Sequence, residues 1–232
     1  MHPQQDDHYD RLSSLFRSLA NSPRAWVLTR TLRSDNPKDI NGVLTGTAEF
    51  QIQEPPRDDG DLQLKIEMAY RECGEMPMFG PGLRWMKKYI WRLAADGQGR
   101  SEISVWFVKV DRKKKNGEER RKQGREGSNH DDDDDDEEEA DYLFHTFDLD
   151  GNTQQESEAV SPPDPPLCSC EEDMTTVIVA RGNHLCVNDM YHTAYAFRTL
   201  ATGEVVSWSS RHLVKGPNKS QDISNVYEKK PS

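Results

Sequence analysis

Polar and apolar residues alternate along most of this chain. In GVLTGTAEFQI (42–52), Leu44, Gly46, Ala48, Phe50 and Ile52 fall on one face, and Thr45, Thr47, Glu49 and Gln51 on the other. In LQLKIEMAYRE (62–72) the inward set is Leu62, Leu64, Ile66, Met68, Tyr70 and Glu72. LRWMKKYIWRL (83–93) turns Leu83, Trp85, Tyr89, Trp91 and Leu93 inward, and puts Lys87 awkwardly on the same face. Further strands fit 25–32, 102–110, 142–149, 175–181, 190–199, 204–214 and 222–228. This period of two, with one face polar, is the pattern of half-buried antiparallel sheet.

The exception is YDRLSSLFRSLA (9–20), where Leu12, Leu15, Phe16 and Leu19 recur at helical spacing until Pro23 intervenes. DDGD (58–61) and ATGE (201–204) read as hairpin turns, and GPG (80–82) as a breaker between strands. About nine or ten hairpin-linked strands behind one helix predict a mainly β meander that curls and closes, because closure removes exposed edges. The expected fold is a closed antiparallel barrel, with a two-sheet sandwich as the alternative. A flexible stretch, 1–8, would precede a single barrel domain, 9–229.

Two segments interrupt the pattern. RKKKNGEERRKQGREG gives way to nine consecutive acidic residues, Asp131–Glu139. Blocks of charge without apolar residues cannot offset their ordering entropy, so 111–141 is expected to be a disordered hairpin-loop insertion. Its basic half also fits a two-part nuclear-localisation signal, and the segment is a possible protein-binding tail. The Pro-rich run 151–173 is read as a linker.

Composition adds exclusions. Net charge is −11, which disfavours nucleic acid as a partner. No run approaches the roughly eighteen apolar residues of a membrane span. MHPQQDDHYD lacks a signal peptide's basic and apolar regions, so a soluble cytoplasmic protein is expected, with the nucleus open through the basic run. Cys73, Cys168, Cys170 and Cys186 are then thiols. Cys168-x-Cys170 has no second Cys/His pair at ligand spacing, so neither metal nor cofactor is expected. No phosphate-binding glycine loop, H-E-x-x-H or G-x-S-x-G occurs.

Four groups of residues can carry chemistry. Trp26 opens the first strand beside the helix, where a tryptophan under a cation from the last strands would close a barrel end; an ordinary core Trp fits equally. Glu72, two residues beyond Tyr70, is either buried and matched by Lys87 or Arg211, or wet at the barrel mouth, the cheaper placement. His184, Cys186, Asp189, Tyr191 and Tyr195 cluster within HLCVNDMYHTAYAF. Neighbours along one strand lack an oriented relay, so turn capping by Asp189 and cavity lining by the tyrosines outweigh nucleophilic catalysis. The GPNK turn (216–219) follows the strand carrying Trp208 and Arg211, and Lys215 and Lys219 there can meet an anion or be simply solvated.

In order, the chain carries Trp26 and Arg30; Gly46, Ala48 and Phe50; Tyr70, Glu72 and Gly74; Tyr89 and Trp91. Then come Phe144, His145, Asp148 and Leu149; His184, Cys186, Asp189 and Tyr191; and Gly216, Pro217, Lys219 and Tyr227. This ordered set resembles domain of unknown function 6314, a family of bacteria and fungi. The resemblance implies a lipocalin-like (calycin) barrel and no particular activity. Ser220-Gln221 departs from the acidic–aromatic pair usual after the lysine.

The leading functional expectation is a barrel binding a small apolar or aromatic molecule. The residues expected to line it are Trp26, Tyr70, Glu72, Tyr89, Trp91, Phe144, His145, Tyr191, Tyr195, Trp208, Arg211 and Lys219. One rival is a cofactor-free isomerase or cyclase, with Glu72, His184 or Asp189 as catalytic candidates. Another is an interaction protein whose barrel is filled solid. The volume and polarity of the interior separate the three.

Overall fold

The computed structural model describes residues 3–22, 25–53, 63–76, 82–95, 101–109, 139–147, 149, 160–167, 175–186, 188–217 and 219–229. One helix, α1 (Pro3–Ala20), precedes ten strands. They are β1 (Trp26–Ser34), β2 (Gly42–Gln53), β3 (Gln63–Glu75), β4 (Arg84–Ala95), β5 (Ser101–Val108), β6 (Ala140–Phe147), β7 (Thr175–Cys186), β8 (Asp189–Leu200), β9 (Val205–Lys215) and β10 (Ser220–Lys229). All pair antiparallel, in the order β6-β5-β4-β3-β2-β1-β10-β9-β8-β7. The chain is thus a meander whose first and last strands join, giving a nearly closed barrel.

The ring's break falls between β6 and β7, the strands separated in sequence by the Pro-rich run. They still approach closely at one place. A Cβ on Gly182 would come within 1.9 Å of the Thr146 carbonyl oxygen, so only glycine lets β7 press against β6 there.

Why the helix sits where it does follows from its apolar stripe. Leu12, Leu15, Phe16 and Leu19 are all buried against one end of the barrel. Ser18 Oγ accepts from the Val205 amide at 2.8 Å, which ties α1 to the start of β9. The ATGE turn forms the expected hairpin between β8 and β9, with Gly203 at φ 84°. The helix begins at Pro3, where a flexible stretch was expected. Proline suits the first helical turn.

Beneath the helix the barrel is filled. Trp26, Leu28, Phe50, Met68, Trp91, Phe147, Phe197 and Trp208 form one contiguous core, its rings meeting mostly edge-on or tilted. Two inward expectations fail. Leu83 lies outside β4 and is 46% exposed, and Ile52, one residue from the end of β2, is 43% exposed. Both stand where a strand's end has left the covered interior.

The linker reading of the Pro-rich run is also corrected for residues 160–167. These lie on the outer wall of β8 and β9. Ser207 Oγ donates to the Pro166 carbonyl at 2.6 Å, Ser209 Oγ to the Pro163 carbonyl, and Arg198 to the Pro165 carbonyl at 2.9 and 3.2 Å. Val160 and Pro165 are buried by this contact, as are Ala194 and Ala196 on the outward face of β8. Small side chains leave the groove, and the prolines' carbonyls, which no sheet partner takes up, find donors in it.

Residues 110–138 lie outside the described residues, as do the DDGD turn, Leu62, Asp148, Cys168, Cys170 and the Cys186 side chain. At the base of the charged insertion Lys109 bonds Glu139 through both backbone and side chain, at 2.8 Å each. The insertion therefore joins adjacent strands, β5 and β6, as a hairpin connection.

Candidate functional site

Above the filled half, away from the helix, the interior opens. The concavity measures about 1190 Å³, and it spills over the rim, since the outward-facing Thr47, Glu49, Arg71 and Lys88 also border it. Its interior part has three levels, set by successive inward positions of the strands.

The floor is aromatic: Tyr70, Trp91, Tyr195, Trp208 and Tyr227, each at most 3% exposed. Tyr227 stacks flat on Trp208, ring centroids 3.5 Å apart. Beside these rings stands a closed polar network. Arg30 reaches in from β1, donating through Nη2 to Glu72 Oε2 at 2.6 Å and through Nε to Asn225 Oδ1 at 2.7 Å. Asn225 donates in turn to Ser210 Oγ at 2.9 Å. Glu72 Oε1 accepts from the hydroxyls of Tyr70 and Tyr227, at 2.5 and 2.8 Å. The Trp85 indole lies 4.8 Å from the Arg30 guanidinium carbon, over Gly74, where a Cβ would meet that indole at 2.7 Å.

Glu72 is therefore inside and dry, 2% exposed, and the placement at a wet mouth is overturned. Burial alone would raise its pKa, but the Arg30 guanidinium, backed by the Tyr70 hydroxyl, holds it below the ordinary carboxylate value. Its partner is neither Arg211 nor, by direct contact, Lys87. Arg211 faces outward and forks onto Asp222 at 2.7 and 2.9 Å, because β9 turns Ser210 and His212 inward on either side of it. Its expected place in the cavity is corrected accordingly.

The middle level carries histidines. His145 Nε2 pairs with the Tyr195 hydroxyl at 2.8 Å, and His212 Nδ1 with Thr193 Oγ1 at 3.1 Å. Burial pushes the His145 pKa well down, and His212 and His184 push it further; burial with Arg30 and Lys87 takes His212 down to about 3. Both are neutral imidazoles at neutral pH. Among the described residues, three buried nitrogens of lining residues find no partner: His145 Nδ1, Trp91 Nε1 and Trp208 Nε1.

The mouth is formed by Tyr89, Phe107, Phe144, Tyr191 and Lys87, with Lys219 donating to the Tyr191 hydroxyl at 2.7 Å. Lys87 is reached by solvent through this opening, yet protein crowds it closely. That crowding, together with the repulsion of Arg30, pushes its pKa down to about 8.

Other expected site residues lie apart. Trp26 is a core residue that does not border the cavity. Its indole donates to the Leu19 carbonyl at 3.2 Å, and the Lys229 ammonium sits 5.8 Å above its ring, closing the helix end. His184 is half-buried against Phe144 and Tyr191 without joining the network. Asp189 packs on the turn after β9, where a Cβ on Gly216 would fall 2.0 Å from its Oδ1. Not singled out for the site were Arg30 as Glu72's partner, Tyr227, Asn225 and Ser210 in the network, and His212 above it. Reading β1 with its own period of two (Trp26, Leu28, Arg30) finds the first of these.

Residues 24–229 match the family described as Family of unknown function (DUF6314). The chain belongs to that family. No curated protein and no solved structure matches it. Among the described residues no helix is long and apolar enough to cross a membrane, and no three His, Cys, Asp or Glu side chains are grouped to hold a metal ion.

Proposed function

We propose that this family member is a lipocalin-like binding protein whose half-open barrel takes a small molecule with a flat, largely apolar body. The observation that carries this reading is the concavity of about 1190 Å³, which has an aromatic floor and a small number of polar side chains among its lining residues. Concave sites with mostly apolar walls and a few placed polar groups are where small molecules bind. The aromatic rings offer area to a flat molecule.

Catalysis by Glu72 is less well supported. Its carboxylate is ionised and all its close donors are fixed, so it is not poised to exchange a proton. His184 packs against Phe144 and Tyr191, and Asp189 against the turn at Gly216.

Titration of the intact protein with N-phenyl-1-naphthylamine, an uncharged aromatic probe, tests the reading. Saturable, one-to-one, blue-shifted fluorescence is expected. Fluorescence that rises without saturation, or not at all, overturns it.

A further inference from the structure

Among the described residues, three ionised side chains face the interior: Arg30, Glu72 and Lys87. Arg30 and Glu72 neutralise each other through a 2.6 Å contact. Lys87 stands directly opposite Glu72 in the β3–β4 register and so shares its face, but makes no hydrogen bond or ion pair with any described residue. Glu72 attracts Lys87 but is not bonded to it: its oxygens are held by Arg30 and by two tyrosine hydroxyls, and its charge is already paired with the guanidinium. The neighbouring imidazoles, His145 and His212, are neutral and add no charge. Among the described residues the interior thus carries one positive charge without a counter-ion of its own.

The other charges facing Lys87 do not cancel it. From β1 come Arg30 and, at the rim, Arg33; from the β1–β2 connection come Lys38 and Asp39. Asp39 is engaged by Ser34 and Gln221, at 2.7 and 2.8 Å. From β3 come Glu72 and Tyr70, from β4 Tyr89, from β9 His212, from β10 Tyr227, and from the turn between those two strands Lys219.

We infer that the molecule held in this cavity is a monoanion, a carboxylate or sulfonate on a flat aromatic or apolar body, with its charged end on the Lys87 ammonium. The inference rests on the binding reading above and adds the charge of the ligand and the residue that selects it. An anion gains a charge-assisted hydrogen bond at Lys87 and the attraction of Arg30 behind it. A cationic ligand in the interior meets the positive charges of Arg30 and Lys87, and the carboxylate that borders the cavity without a described partner, Glu49, lies outward on the rim. Below Lys87 on the same face of β4, Tyr89 stacks with Phe144 at 5.9 Å and leans on Phe107 at 5.6 Å, which places a wall of rings beside the ligand's body. Burial and Arg30 push the Lys87 pKa down to about 8, so an anion that needs its charge is held at neutral pH and more weakly as the pH rises above that value.

The test compares two probes of one shape. 1-Anilinonaphthalene-8-sulfonate and N-phenyl-1-naphthylamine share the same aromatic body, and only the first carries a negative charge. At pH 7 the sulfonate is expected to bind at least tenfold more tightly. That preference should shrink above about pH 8, vanish in Lys87→Met and persist in Lys87→Arg, which keeps the charge if the methionine variant does not fold. Equal affinities for the two probes, or a preference lost in Lys219→Met and kept in Lys87→Met, overturn the assignment of charge and leave the binding reading standing. Binding of neither probe overturns both.

Discussion

Neutralising either end of the Arg30–Glu72 pair separates a buried pair from a hydrated one. Both side chains are at most 5% exposed and their closest atoms are 2.6 Å apart. Glu72→Gln keeps the shape of the side chain but leaves a guanidinium facing an amide. Arginine does not lose its proton in a protein, so the charge stays, buried and unpaired, at a cost of about 3–5 kcal/mol. Arg30→Met strands a carboxylate, and a carboxylate has an exit. From an ordinary value of 4.5, protonation at pH 7 costs at most about 3.4 kcal/mol, or 2.5 pH units at about 1.36 kcal/mol each. The signs of the pH dependence are opposite. In the native protein the Glu72 pKa lies below 4.5, so its contribution is full above that pH and is lost as acid carries the pH down through the folded value. In Arg30→Met the value rises above 4.5; the contribution is then full below 4.5 and lost as the pH climbs. The stability gap between the two proteins should therefore widen from pH 4 to pH 7 in urea unfolding followed by tryptophan fluorescence. The double variant Arg30→Met/Glu72→Gln should recover about 2 kcal/mol of the summed losses, since it leaves no ion behind. Losses below about 1 kcal/mol that simply add, with a gap independent of pH, would refute burial of the pair.

Two further predictions concern how the barrel is held shut. Gly182→Ala puts a methyl group 1.9 Å from the Thr146 carbonyl at the seam between β6 and β7, and either strand must move. We expect a loss of about 2 kcal/mol or more by urea unfolding, the scale of overpacking a tight site, and a neutral result would mean the seam is open there. Ser207→Val with Ser209→Val removes two donors to residues 160–167, worth about 1 kcal/mol each. Limited proteolysis should then cut within 160–167 while the rest of the barrel resists; unchanged protection would show that the prolines are held some other way.

How much of this was legible in the sequence depends on whether the signal was local. The faces of β2, β3 and β4 follow from their period of two, and the period carried to its end put Glu72 inside. What misled was the price of a buried carboxylate judged without its partner. Arg30 lies 42 residues away in sequence, and a cation among the apolar positions of β1 reads as a strand fraying into water. Lys87 was visible as an anomaly for the same reason that it now looks functional: it breaks an apolar face. Arg211 was misplaced because β9 reads VVSWSSRHLV, with small polar residues on both faces. Alternation says little when serines stand inside and out. The outer groove escaped notice on the same grounds, since Ala194, Ala196, Ser207 and Ser209 need a cover to be buried, and the cover comes from a distant Pro-rich run that no periodicity marks.

The split of the barrel into a filled half and an open half has a physical consequence for what it can hold. The rings and the helix at one end supply the apolar burial that folding requires, so the other end is free of that demand. It can keep a lysine that no described carboxylate pairs. Between the halves lies the Arg30–Glu72–Tyr70–Tyr227–Asn225 network, every member of it bonded. A network so satisfied is stiff, because moving one member strands the others in a low-dielectric site. It fixes the level at which the floor ends and the cavity starts, and it fixes Glu72 away from Lys87. Were Glu72 to turn from Arg30 toward Lys87, it would leave Arg30 unpaired instead, with the net charge of the described interior unchanged. The tyrosine hydroxyls and Arg30 hold Glu72 in place, so the uncompensated charge stays on Lys87 at the top of the cavity rather than on Arg30 at its floor.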